Sequence, residues 1–249
     1  MNAIILAAGL GSRLRPLTLT TPKSQIVVNG MPMIERQIEY LKERGVDEII
    51  IVTGYLHEKF EYLKEKYGTT LVHNDKFADY NNIYSIYLAK DYLGDSFVID
   101  ADIYMHTNFI PSKITRSTYF SSYKDCFDNE EWILEYDEST QKLNQVIVVK
   151  NNEGQGRIMS GVSFWSKKDA QILKEKLIEA INDRDFKNLY WDYMVVENLD
   201  LLDVYVEELD DIAMFEVDTL KDLKELEALL KQLWPLNLGT ANLGWSLCF

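Results

Sequence analysis

An α/β fold with a mixed central sheet flanked by helices is what this sequence predicts, on three observations. Short apolar runs alternate with amphipathic helical stretches through the first hundred or so residues. The middle of the chain switches to successive short strands separated by polar turns. Two further strand-like runs and a long amphipathic segment follow. Strand, helix, strand, helix in that order implies right-handed crossovers and a largely parallel central sheet, with the later strands antiparallel in style.

Taken in order, "NAIILA" reads as a buried strand because it is short, continuous, apolar and followed by glycine. "MPMIERQIEYLKERG" reads as a helix, with Pro32 near its start and Gly45 past its end. Ile34, Ile38 and Leu41 share one face of it. "EIIIV" is a second buried strand, "HEKFEYLKEKYG" a second helix closing on Gly68, and "TLVHN" a third strand. "NNIYSIYLAKDYL" is helical, and "SFVIDAD" is a fourth strand that ends in acid. "RSTYFSSYK", "EWILEYD", "LNQVIVVK" and "RIMSGVSFW" read as strands. Helices are expected over 167–183 and 189–199, strands at "DVYVEEL" and "MFEVD", and a closing helix at "TLKDLKELEALLKQLW" begun near Thr219.

No internal repeat or low-complexity linker interrupts the chain, so one domain over residues 1–234 is expected. The stretch 235–249 follows Pro235 and carries no charged residue; it reads as a tail of unknown role.

Composition excludes several classes of function. The 249 residues carry a formal net charge of -14, which argues against nucleic acid as a partner. Cys126 and Cys248 make no metal-like spacing, and His57, His73 and His106 are scattered, so neither a disulfide framework nor zinc is expected. The N-terminus lacks the features of a signal peptide, and no apolar run approaches the roughly 20 residues that span a bilayer. A cytoplasmic protein without membrane insertion is the expectation, and homo-oligomerisation is left open.

The acidic balance makes "ILAAGLGSRLRPLT", residues 5–18, conspicuous. Two glycines and two arginines follow the first strand directly, where ligands of open α/β sheets bind. Leu14 stands where the dinucleotide fingerprint needs a third glycine, and Lys23-Ser24 lacks the glycines of a P-loop. Glycine lets backbone N–H groups approach phosphate oxygens, an arginine fork can clamp them, and a lysine adds a mobile point charge. Far along the chain, "VIDAD" puts Asp100 and Asp102 on one face of a strand end, and "FEVD" ends another strand in Asp218.

Gly9, Gly11, Ser12, Arg13, Pro16, Leu17 and Thr18, with Pro22-Lys23, resemble the G-x-G-[ST]-R-[LM]-x-P-[LF]-T…P-K signature of the nucleotidyltransferase family. The resemblance implies a Rossmann-like fold and activation of a sugar phosphate or phosphoalcohol by a nucleoside triphosphate. It implies Arg13 and Lys23 as catalytic cations, and Ala8, Gly9, Gly11, Ser12 and Arg13 as nucleotide-binding residues. It implies Mg²⁺ on Asp102 and Asp218, with Asp100 a helper or a strand-end residue.

Further segments are similar to one subgroup, the bacterial CTP:phosphocholine cytidylyltransferases. They are "LVHNDKFADYNNIYSIYLAK", "TRSTYFSSYK", "RIMSGVSFW", "LYWDYMV" and "LDVYVEEL", so the likeness runs from about residue 1 to 234. It implies CTP and phosphocholine as substrates, with Asn82 and Ser85 at the nucleotide base. A quaternary ammonium cannot donate an N–H hydrogen bond and is held against aromatic faces with a carboxylate nearby. Tyr190, Trp191 and Asp192 supply rings and counter-charge together, and Trp132, Trp165 and Glu216 are further candidates. Two positions depart from the family pattern: Gln25 stands where an apolar residue is usual, and Ile103 where asparagine is frequent. The alternatives are a sugar 1-phosphate, phosphoethanolamine or a phosphonate as acceptor, or a silent regulatory subunit that binds nucleotide without turnover.

Overall fold

The computed structural model describes residues 1–125, 130–149, 154–183 and 185–233. The uncharged stretch 235–249 lies outside the described residues. The first half runs β1 (Asn2–Ala7), β2 (Val27–Val28), β3 (Met31–Pro32), α1 (Met33–Glu43), β4 (Glu48–Thr53), α2 (Tyr62–Tyr67) and β5 (Thr70–His73). It continues through α3 (Asn82–Leu88), β6 (Ser96–Asp100) and β7 (Ile103–Met105). The second half holds β8 (Ser117–Ser121), β9 (Tyr123–Lys124), β10 (Glu131–Tyr136), β11 (Leu143–Val149), β12 (Gly156–Arg157) and β13 (Val162–Trp165). It closes with α4 (Lys167–Asp183), α5 (Tyr193–Val196), β14 (Val204–Glu208), β15 (Met214–Glu216) and α6 (Leu220–Leu233).

Among the described residues, a seven-stranded sheet in the order β14-β8-β13-β6-β1-β4-β5 forms the centre. Strands β6, β1, β4 and β5 are parallel, and β13 enters antiparallel between β6 and β8. The mixed α/β sheet predicted from the alternation is therefore present.

Alternation along β1 divides the core. Ala3, Ile5 and Ala7 face the layer that contains Ile34, Ile38 and Leu41 of α1 and Leu63 of α2. Ile4 and Leu6 face the other layer, with Ile83 and Ile86 of α3 and Leu173 and Leu177 of α4. Both faces of β1 are covered, which is why its sequence is apolar without a break. A smaller cluster joins Leu14 and Ile26 of the glycine loop to Leu223, Leu226 and Leu230 of α6. It anchors the loop from beneath.

Several elements differ from their sequence reading; the helix read over 81–93, for example, ends at Leu88 and a 3₁₀ turn follows at Lys90–Tyr92. The helix expected over 57–67 is broken: a 3₁₀ turn at His57–Phe60 precedes α2, and Leu56 takes a left-handed φ of 52°. The helix expected over 189–199 is reduced to the single turn of α5 and a 3₁₀ turn at Leu199–Leu201. The chain before α5 is drawn instead against the start of α3, where Asn81 N donates to Lys187 O at 3.2 Å. Asp102 also leaves the strand on which the spacing placed it. The ladder of β6 ends at Asp100, and residues 101–102 form a turn into β7, which pairs with β15 rather than the main sheet.

Candidate active site

The carboxyl ends of β1 and β6 open onto a cleft of about 1070 Å³. It lies where β1 has a strand connected forward on one side and a later strand on the other, the usual place for ligands in such sheets. Ala8, Gly9, Arg13 and Lys23 line one wall of it. Gly9 has open space where a side chain would begin, so a ligand can approach its backbone closely. Gly11 and Ser12 do not line the cleft; they shape it. Gly11 has φ 59° and its carbonyl accepts from Thr18 Oγ1 at 2.8 Å. A Cβ there would come within 3.0 Å of Lys23 Cβ and Thr18 Cγ2. Gln25 ties the loop to the 3₁₀ turn before α2 through Lys59 O at 2.9 Å.

Lys23 is pinned rather than mobile. Its Nζ donates to Asp102 Oδ2 at 2.6 Å and also to Asp218 Oδ1, and its side chain is 14% exposed. Burial by itself would discharge it, but the two carboxylates outweigh burial and hold its ammonium above the ordinary lysine range. Arg13 reaches Asp218 Oδ2 at 2.6 Å from an exposed position. Asp218 stands just before α6, where Asp222 Oδ2 accepts from the backbone N–H of Asp218 and Thr219 at 2.9 and 2.7 Å. Asp222 N donates in return to Thr219 Oγ1, a reciprocal cap that sets the angle at which Asp218 enters the cleft.

Asp102, Glu216 and Asp218 each bring a carboxylate oxygen to within 4.8 Å of the others. Glu216, a substrate candidate from the sequence, lines the cleft and lies within this acidic group. The signal was present in "FEVD", because residues 216 and 218 share a face at strand spacing. Protein packed around Glu216, and then the charges of Asp102 and Asp218, push its carboxyl up to about 8 although the residue is open to the cleft. Asp100 is held well above the ordinary carboxylate range, first by burial and then by the charge of Asp102. Three oxygen donors at this spacing, without sulfur or imidazole, suit a hard cation. Ile103 is buried in the core and begins β7.

Aromatic groups line the same cleft. Trp132 makes edge-on contacts with Tyr190 at 6.4 Å and Tyr193 at 4.7 Å between ring centres. Trp132, Tyr190 and Asp192 line the cleft, and Tyr190 is 47% exposed. Asp192 Oδ1 accepts from Tyr119 Oη at 3.0 Å, and burial pushes its carboxyl up to about 7 against that hydrogen bond. Trp165 and Trp191 do not line this cleft. Both are buried in the core, packed edge-on against each other at 5.6 Å, and the Trp165 indole donates to Ser163 Oγ at 2.9 Å. Their bulk fills the layer beneath β13, a packing use that composition could not separate from ligand contact.

Asn82 and Ser85 line the cleft from α3, both already engaged. Asn82 Oδ1 accepts from Trp191 N at 2.9 Å, and Ser85 Oγ accepts from buried Asn74 Nδ2 at 3.0 Å. Asn81 Nδ2 donates to Asn188 O at 2.9 Å. Sequence reasoning missed Asn74 and Tyr119, whose partners lie 11 and 73 residues away.

Known proteins share this architecture. A family model described as nucleotidyl transferase matches residues 2–113. The choline-phosphate cytidylyltransferase of Streptococcus pneumoniae is 52% identical over 231 residues, covering 93% of this chain and 99% of that protein. A 2-aminoethylphosphonate cytidylyltransferase of Lancefieldella rimae is 36% identical over 226 residues, covering 89% and 90%. The solved structure of the S. pneumoniae CTP:phosphocholine cytidylyltransferase LicC superposes with a TM-score of 0.87, covering 92% of this chain and 98% of that one. With that identity over nearly the whole of both chains, and the loop and carboxylates converging on one cleft, this chain belongs to the nucleotidyl transferase family.

Proposed function

We propose that this chain is a cytidylyltransferase that transfers CMP from CTP to phosphocholine, releasing pyrophosphate and forming CDP-choline. The observation that carries the reading is one cleft lined by two unlike sets of residues. One set is the glycine loop with Arg13, Lys23 and three acids, and the other is Trp132, Tyr190 and Asp192. A polyphosphate fits the first, and a quaternary ammonium fits the second. The 52% identical relative bears the name of this activity. We read residues 1–234 as the catalytic unit and place it in the cytoplasm; among the described residues no helix is long and apolar enough to cross a membrane.

A phosphate oxygen of phosphocholine attacks the α-phosphorus of CTP in line, and the bond to the bridging oxygen of the β-phosphate breaks as pyrophosphate leaves. The backbone around Gly9 cradles the phosphates. Arg13 turns from Asp218 toward them from its exposed position, and Lys23 adds its charge from beside the carboxylates. Asp102 and Asp218 would hold Mg²⁺, with Glu216 within reach as a third donor. Bound there, Mg²⁺ supplies charge neutralisation that lessens the repulsion between donor and acceptor phosphates. The attacking phosphate is already anionic, so these residues need supply no general base. Trp132 and Tyr190 offer ring faces to the trimethylammonium, and Asp192 offers its counter-charge.

The test is pyrophosphate release measured for four nucleoside triphosphates against phosphocholine, phosphoethanolamine, 2-aminoethylphosphonate and hexose 1-phosphates, with Mg²⁺. The CTP and phosphocholine pair should exceed every other pair. Turnover with a sugar phosphate or the phosphonate but not phosphocholine would sink the acceptor assignment, and nucleotide binding without turnover would point to a silent subunit.

A further inference from the structure

The turn that carries Asp102 is gripped from behind by a single side chain. Gln37 Nε2 donates to Asp100 O at 3.0 Å and to Ile103 O at 2.8 Å, the carbonyls that bracket the two turn residues. Gln37 sits on α1 among Ile34, Ile38 and Leu41, is wholly buried, and does not line the cleft. Two backbone bonds complete the grip, Ala101 N to Leu6 O at 3.2 Å and Val217 N to Asp102 O at 3.1 Å. The second ties the Asp102 turn to the strand end that carries Glu216 and Asp218.

A glutamine is an expensive choice at this place. Packing alone would be met by leucine or methionine, because the surrounding helix face is apolar. The buried Gln37 Oε1 has no hydrogen-bond partner among the described residues, so the amide carries a desolvation cost that its carbonyl oxygen does not recover. What the amide does accomplish is to satisfy two carbonyls where the ladder of β6 has ended and the chain reverses.

We propose that Gln37 is a positioning residue for Asp102, holding the turn so that the Asp102 carboxylate meets Asp218 and Glu216 as one cation-binding group. The proposal rests on the reading that Asp102 binds the metal, and its test separates the two. Gln37→Met keeps the size and removes both hydrogen bonds; Gln37→Glu keeps the shape and serves if the methionine variant melts early. Free Mn²⁺ is followed by electron paramagnetic resonance as protein is titrated in the presence of CTP. Wild type, both Gln37 variants and Asp102→Asn are compared, with phosphocholine affinity and melting temperature recorded alongside.

Loss of a group that orients a ligand typically costs about 10–100-fold in metal affinity. The Gln37 variants should therefore bind Mn²⁺ at least roughly tenfold more weakly, with phosphocholine affinity unchanged and part of the lost turnover recovered at high Mg²⁺. A purely structural glutamine would lower the melting temperature without moving Mn²⁺ affinity. That result, with Asp102→Asn still weakened, overturns the role of Gln37 and leaves the metal assignment standing. Unchanged Mn²⁺ binding by Asp102→Asn overturns the metal assignment and the positioning role with it.

Discussion

Replacing Lys23 with methionine removes a cation from between two carboxylates while keeping the length of its stem. Lys23 Nζ lies 2.6 Å from Asp102 Oδ2 and also contacts Asp218, and the three side chains are 14%, 26% and 21% exposed. Without it, Asp102, Glu216 and Asp218 face one another with oxygens inside 4.8 Å. Two unit charges at that distance repel by about 3 kcal/mol at an effective dielectric constant of about 20. Deleting one partner of a buried pair costs about 3–5 kcal/mol, and partial exposure places this site at the lower end. A loss of about 3 kcal/mol in a chain of this size lowers the melting temperature by roughly 6–12 °C. The folded-state pKa of Lys23 lies above its ordinary value, so this stabilisation is fully present at neutral pH and is lost only as strongly alkaline pH discharges the lysine.

The assay is thermal unfolding of wild type and Lys23→Met in chelator and in Mg²⁺. In chelator the variant should melt well below wild type. A divalent cation can replace the missing charge, so Mg²⁺ should raise the melting temperature of the variant by more than that of wild type. Turnover should stay low in Mg²⁺, because the fixed charge near the leaving pyrophosphate is still missing. A metal-free difference under about 2 °C, where at least 6 °C is expected from the same scaling, would refute the reasoning. Equal Mg²⁺ shifts in the two proteins would refute it as well.

Asp102→Asn and Asp218→Asn should each abolish turnover with the fold intact, since Lys23 keeps one carboxylate partner in either variant; near-normal turnover removes that residue from the metal site. Burial raises the Asp192 carboxyl from 3.8 to about 7, so the folded state binds its proton more tightly than the unfolded state. Its contribution to stability therefore falls as pH rises from about 4 to about 7, and phosphocholine affinity gains the counter-charge over the top of that range. Asp192→Asn should flatten both profiles in thermal unfolding and calorimetric titration, and an unchanged slope in the variant would exclude Asp192 as the source. Asn81 and Asn82 tie the start of α3 to the segment that carries Tyr190 and Asp192. This clasp predicts that CTP strengthens phosphocholine binding and that the strengthening shrinks roughly fivefold in the double alanine variant, a typical size for such coupling; no strengthening in wild type, or one equal in the variant, means the clasp does not link the two sites.

The sequence by itself determined the alternation of strands and helices, because burial of β1 on both faces demands an unbroken apolar run. It also determined the glycine loop, whose chemistry is local: Gly11 needs its left-handed turn whatever lies beyond it. Asp102 and Asp218 were legible as strand-end acids, although the turn that holds Asp102 was not. Which aromatic residues reach the cleft was decided by tertiary structure. Trp132 and Trp165 both sit on strands of similar composition, but β13 is an inner strand packed under α4, while β10 pairs with β11 beside the open cleft. The same holds for Gln37: nothing in the sequence marks a role for it, and the chain brings it beneath a turn more than sixty residues away. Periodicity states which face of an element is buried, since that depends on neighbours a few residues apart. It does not state which distant element covers that face, and in this protein that pairing sets the carboxylate group, the aromatic wall and the amide that braces them.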